Sequence, residues 1–98
     1  MSKKIQGLAE IDRIIHEPAR LMIIALLATV NDADFQYLHL ATGLTKGNLS
    51  VHLSKLEEAA YIVIEKSFRG KYPLTICRLT GQGREAFDNY RKVIKAAL

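Results

Sequence analysis

A mainly α-helical domain carrying one small β-hairpin is the fold class this sequence predicts, on three observations. Apolar residues recur at helical spacing over 8–29, 45–59 and 81–98. The period switches to a strand-like one at 62–64 and again at 74–77. Side chains that cap helices, Asp34, Thr45 and Thr80, stand immediately before three of the helical segments.

Taken in order, Leu8, Ile11, Ile14 and Ile15 have the spacing of a short amphipathic helix. Pro18 suits the first turn of the next, where its missing N–H costs nothing. That helix, to about Thr29, is apolar almost all round, with Leu21, Met22, Ile23, Ile24, Leu26 and Leu27, so it calls for cover on more than one side, part of it expected from a second subunit. Asp34 starts a helix bearing Phe35, Leu38 and Ala41 on one side. Gly43 provides a tight turn, and Thr45 starts a helix to about Ala59 whose Leu49, Leu53, Leu56 and Ala60 form one buried stripe. Two strands follow, joined by a long basic tip over 66–73 in which Gly70 turns the chain and Pro73 stops the pairing. Thr80 caps the last helix, with Phe87, Tyr90, Ile94 and Leu98 along one face. One domain over 1–98 is expected: N-terminal helices 8–29, a helix-turn-helix 34–59, a hairpin 61–79 and a C-terminal helix 81–98.

Composition narrows the function. With 98 residues, 49% of them apolar, the chain can bury one core, and its formal charge of +4 suits a polyanionic partner. The one cysteine, Cys77, excludes an intrachain disulfide, and no His or Cys cluster has zinc-ligand spacing. Neither a metal nor another cofactor is expected, and redox sensing through Cys77 would require an exposed thiol of low pKa. The longest apolar stretch, 21–30, is too short to span a bilayer and lies behind Pro18 and Arg20, a poor arrangement for a signal peptide, so a cytoplasmic protein with no membrane partner is expected. No nucleophile–base pair, carboxylate pair or phosphate-cradling glycine loop stands out, which argues against an enzyme.

The helix order, a glycine turn between two short helices and then a basic hairpin, is that of a winged helix-turn-helix with an additional C-terminal helix. The second helix of such a unit enters the major groove of duplex DNA. Removing its buried stripe leaves Lys46, Gly47, Asn48, Ser50, Val51, His52, Ser54 and Lys55, headed by the cap Thr45. Asn48 can pair with adenine, Lys46 with guanine or phosphate, Ser50 with several groups, and Val51 can touch a thymine methyl. An ordinary solvated face would mix both charge signs and longer side chains; this one has no acid before Glu57 and Glu58. Lys66, Arg69 and Lys71, interleaved with Phe68 and Tyr72, suit the DNA backbone or the minor groove. Arg20 suits a phosphate contact or a structural cap.

The runs 34–38 and 42–50, then 53–58, and finally Arg78-Leu79-Thr80 with Gly83, resemble the winged-helix regulators of the MarR and ArsR type, in their short single-domain form, over about residues 10 to 90. The resemblance implies a homodimer on a pseudo-palindromic operator, with the helix after Thr45 reading bases and the 67–72 wing holding the backbone. The outer helices would form the subunit contact, through Leu8, Ile11, Ile15, Met22, Ile23, Phe87, Tyr90, Ile94 and Leu98. Two positions depart from the pattern: Ala60 stands where glycine is usual, and His39 where a small residue is usual. The competing reading is a winged-helix protein-interaction adaptor without sequence-specific DNA binding.

Overall fold

The N-terminal segment departs first from the expected single helix, and Asp12 is the reason. In the computed structural model, which describes residues 3–98, helix α1 spans Lys3–Gln6 and a 3₁₀ turn spans Gly7–Glu10. The Asp12 carboxylate then accepts from the backbone N–H groups of Ile14 (2.8 Å) and Ile15 (3.1 Å). This local bonding gives the backbone an alternative to the helix predicted over 8–15.

Helix α2 (Pro18–Leu27) begins as expected, with proline in its first turn and Glu17 capping it by accepting from Arg20 N at 2.9 Å. Strand β1 (Ala33–Asp34) leads directly into α3 (Phe35–Thr42), which Asp34 caps through Tyr37 N. Helix α4 (Lys46–Glu58) is capped by Thr45 through Asn48 N. Strands β2 (Ile62–Arg69) and β3 (Tyr72–Leu79) form the hairpin, and Thr80 caps α5 (Gly81–Ala97) through Gly83 N. The sheet is antiparallel with strand order β1-β3-β2, and Ala33 pairs with Cys77.

Ile15, Ile23, Ile24, Leu27, Leu38, Leu49, Leu56, Ile62 and Cys77 are the fully buried centre of the core. The cover that α2 needs comes mostly from within the chain, because α3, α4 and β3 all pack on it. Ile23 is therefore wholly internal, and only the side carrying Met22 and Ala25 remains open.

The end of α4 is a Schellman turn. Tyr61 N donates to Leu56 O at 3.0 Å and Ala60 N to Glu57 O at 2.9 Å, which leaves Ala60 left-handed at φ 64°. Start-of-helix groups of α5 close over the turn. Thr80 Oγ1 donates to Ala60 O (2.7 Å), and Thr80 N donates to Tyr61 O (3.0 Å). Gly83 presses so close that a Cβ there would lie 2.1 Å from Tyr61 O. On the other side, the Tyr61 hydroxyl donates to Asp12 and ties the turn to the N-terminal segment.

The hairpin is longer and tighter than expected. Residues 66–69 and 72–73, assigned to the loop by the sequence, are paired, and only Gly70 and Lys71 form the tip. Gly70 has φ 61° while Lys71 stays in the ordinary negative-φ range, the pattern of a type II′ turn with glycine first. Pro73 does not stop the pairing; it lies opposite Phe68. It is past the end of β1, whose last partner is Ile76, so on that side of β3 its missing donor breaks no ladder.

A β-carbon in the left-handed region costs on the order of 1 kcal/mol. Ala60→Gly is therefore expected to raise unfolding stability by up to about 1 kcal/mol, less the extra chain entropy of glycine, as a higher urea midpoint at unchanged m. Gly83→Ala should instead destabilise by about 1–3 kcal/mol in the same assay, through overpacking against Tyr61.

Candidate nucleic-acid interface

The helix-turn-helix turn is fixed by side chains as well as by glycine. Gly43 ends α3 in the left-handed region at φ 72°. Across it, His39 Nδ1 donates to Leu44 O at 2.7 Å, and Thr42 Oγ1 donates to Leu38 O at 2.7 Å while accepting from Leu44 N at 3.3 Å. His39 thus ties the end of one helix to the approach of the next. The sequence offered a signal for this: a polar ring five residues before Leu44, with the turn glycine between them.

Along α4, Leu49, Leu53 and Leu56 face the core. Lys46, Gly47, Asn48, Ser50, Val51, Ser54 and Lys55 are exposed, as is the capping residue Thr45. His52 is the exception among the expected reading residues. It is half-buried, and its Nδ1 accepts from Arg20 Nη1 at 3.0 Å and lies 3.8 Å from Glu17 Oε1. Its place three residues after Leu49 and four before Leu56 puts it on the flank of the buried stripe, a signal present in the sequence.

Arg20 is structural. It is only 9% exposed, its Nε donates to Ile14 O at 2.6 Å, and its guanidinium joins the loop before α2 to the middle of α4. The bond from Arg20 N holds the Glu17 carboxyl below its ordinary pKa against the opposing effect of burial, and the Arg20 charge acts in the same direction as the bond. Glu17, Arg20 and His52 together fix how α4 lies on α2.

Beside α4 stands the wing. Phe35, Ser50, Ser54, Ile64, Lys66 and Thr75 line one shallow groove of about 340 Å³, so Ser50 and Ser54 of α4 share a surface with Lys66 of the wing. Arg69 and Lys71 lie farther out, both exposed. The wing's one acid, Glu65, is engaged by Arg78 at 3.2 Å.

The residues expected at a subunit contact separate into two sets. Ile15 and Ile23 are completely buried, and Phe87 and Tyr90 nearly so, all within the chain's own core. They offer a partner almost no area, because the inner face of α5 is taken up by the N-terminal segment, where His16 Nδ1 pairs with the Tyr90 hydroxyl at 2.9 Å. Leu8, Ile11 and Ile94 are half-buried, while Met22 and Leu98 are exposed.

Cys77 is fully buried, and burial, reinforced by Glu57, pushes its thiol up to about 11. A buried thiol held in its protonated form is a poor nucleophile and does not act as an exposed redox sensor. Among the described residues no cluster of His, Cys, Asp and Glu is arranged to hold a metal, and no helix is long and apolar enough to cross a membrane.

A helix-turn-helix followed by a two-stranded wing places the chain in the winged helix DNA-binding domain family, whose pattern it matches over residues 19–98. Family and fold are those of transcriptional regulators, and solved MarR-family and ArsR-family regulators share the architecture. Among individual proteins, an uncharacterized protein of Methanocaldococcus jannaschii is 40% identical over 78 residues, 80% of this chain and 85% of that protein. A transcriptional regulator homologue from Pyrococcus horikoshii OT3 superposes with a TM-score of 0.87 at 25% identity, covering 97% of this chain and 93% of that one. A MarR-family regulator from Enterococcus faecalis V583 gives 0.77 at 18% identity, over 97% and 84%.

The raised thiol has a consequence in alkali. Cys77 ionises near 9 in the unfolded chain and near 11 in the folded one. Its contribution is complete below about 9 and is lost as pH rises toward about 11, at up to roughly 1.4 kcal/mol per pH unit. Tyr61, raised to about 12 by desolvation and its bond to Asp12, continues the loss above about 10. Urea midpoints should fall across this range, and Cys77→Ala should flatten the earlier part of the fall.

Proposed function

We propose that this protein is a sequence-specific, double-stranded-DNA-binding transcription regulator acting as a homodimer, with α4 in the major groove and the wing on the backbone or in the minor groove. The observation that carries the reading is the outward face of α4. From Thr45 to Lys55 it exposes short polar side chains, one valine and two lysines without a single carboxylate, beside a wing carrying Lys66, Arg69 and Lys71. Such a face fits a groove edge, and its cationic flank fits phosphate.

In this reading Lys46, Asn48, Ser50 and Val51 meet base edges, and Ser54 and Lys55 meet the backbone. His52 supports the helix from within through Arg20. The homodimer contact is assigned to the apolar surface left over after folding: Leu8 of the 3₁₀ turn and Ile94 of α5, with Leu98 at 91% exposure, and Met22 on the open side of α2. Two recognition helices about one duplex turn (~34 Å) apart would then bind two half-sites.

Selection of duplexes from a random pool, with subunit mass measured in parallel, tests the reading. A protein of monomer mass that leaves all duplexes free at low salt refutes it. Replacing Arg69 and Lys71 with alanine should weaken binding to every sequence and reduce the salt slope by roughly one unit per lost phosphate contact. Asn48→Ala should relax preference at one base position, at a cost of about 1–3 kcal/mol on the preferred site only.

A further inference from the structure

The wing tip carries two large aromatic side chains in the open. Phe68 is 72% exposed and Tyr72 77%. Among the described residues, the ring contacts are His16 with Tyr90 and Arg91 over Phe87, so neither tip ring stacks on another aromatic or lies under a cation. Exposing a phenyl ring forgoes burial that the core would reward, and a charged side chain would hold a hairpin tip in solution equally well.

The register shows where Phe68 faces. Residues two apart on a strand share a face, and Ile64, Lys66 and Phe68 lie opposite Cys77, Thr75 and Pro73 respectively. Ile64, Lys66 and Thr75 line the groove beside α4. Phe68 therefore continues the α4-facing side of the wing by one more step, while Arg69 and Tyr72 pair on the opposite side. Lys66 shares that face with the ring, Arg69 and Lys71 follow it at the tip, and no carboxylate lies between Lys66 and Pro73.

Resting on the DNA-binding reading above, we infer that the wing tip deforms the duplex: Phe68 wedges into a base step in the minor groove adjoining the α4 site, while Arg69 and Lys71 hold the flanking phosphates. Apolar side chains inserted this way unstack a step and bend the helix toward the major groove. The cost is lowest at flexible pyrimidine–purine steps, so the protein gains a sequence preference at a position read by no hydrogen bond. Three cations in the same tip, with no acid among them, oppose its burial against the same tip of a second copy and favour a polyanion.

The test uses the full chain and a duplex it has selected, carrying 2-aminopurine at successive steps beside the half-site and a dye at each end. Wild-type binding should raise 2-aminopurine emission at one step and shorten the end-to-end distance. Phe68→Ser should remove both signals and lower affinity about tenfold, leaving the salt slope unchanged because every cation is kept. Tyr72→Ser should retain both signals. Both side chains are exposed, so circular dichroism should show an unaltered fold. Wild-type binding with no emission change at any step overturns the inference and leaves the regulator reading intact. Bending by Phe68→Ser equal to wild type does the same, and so does a change in subunit mass on that substitution, which would assign the ring to a protein contact. Wild-type protein that leaves all duplexes free refutes both.

Discussion

The left-handed turn at Ala60 is the constraint on which the rest of the structure depends. Within four residues it ends α4, reverses the chain and starts the wing. The carbonyls it presents are met by Thr80 from the start of α5, while Tyr61 reaches back to Asp12. A helix, a hairpin, the last helix and the N-terminal segment are thus positioned by one knot of backbone and side-chain hydrogen bonds. Because those bonds over-determine the turn, alanine is held where its β-carbon is unfavourable, with the strain offset by the contacts around it.

The outward face of α4 depends on this knot at one end and on the Glu17–Arg20–His52 cluster at its middle. A helix held at two points presents its outer side chains in a fixed orientation, as the proposed reading of a groove would require. The interior supplies the rigidity: a buried guanidinium spends its donors on carbonyls of the loop before α2 and on the His52 ring instead of on a carboxylate. The groove between α4 and the wing base then joins the serines of α4 and Lys66 of the wing into one continuous surface.

Much of this was legible in the residues, and the failures have physical causes. Asp34, Thr45 and Thr80 cap the helices they were expected to cap, because a short oxygen-bearing side chain ahead of a helix has one favourable use. Leu49, Leu53 and Leu56 of the expected stripe are buried because they are strictly periodic, whereas Ala60, read as its last member, is exposed beyond the end of α4 in the left-handed turn. The helix expected over 8–15 failed because periodicity does not register that Asp12 captures two amides of its own loop. The hairpin tip was drawn too long because proline and charge signal a loop, whereas register is decided by the two-residue turn at Gly70. His52, Ile15 and Ile23 were assigned to surfaces they do not occupy, since a sequence shows that a side chain must be covered without showing by what.

Pro73 has a meaning beyond local geometry. Strand β1 covers only two residues of β3, so the outer margin of the wing from Tyr72 to Thr75 is an open strand edge. Open margins of this kind invite strands from other molecules to add on and grow into fibrous aggregates. A residue with no amide proton, placed in the middle of that margin and flanked by the cations of the tip, makes it a poor template. The long projecting ribbon can thereby remain extended in a crowded cell without recruiting its own kind.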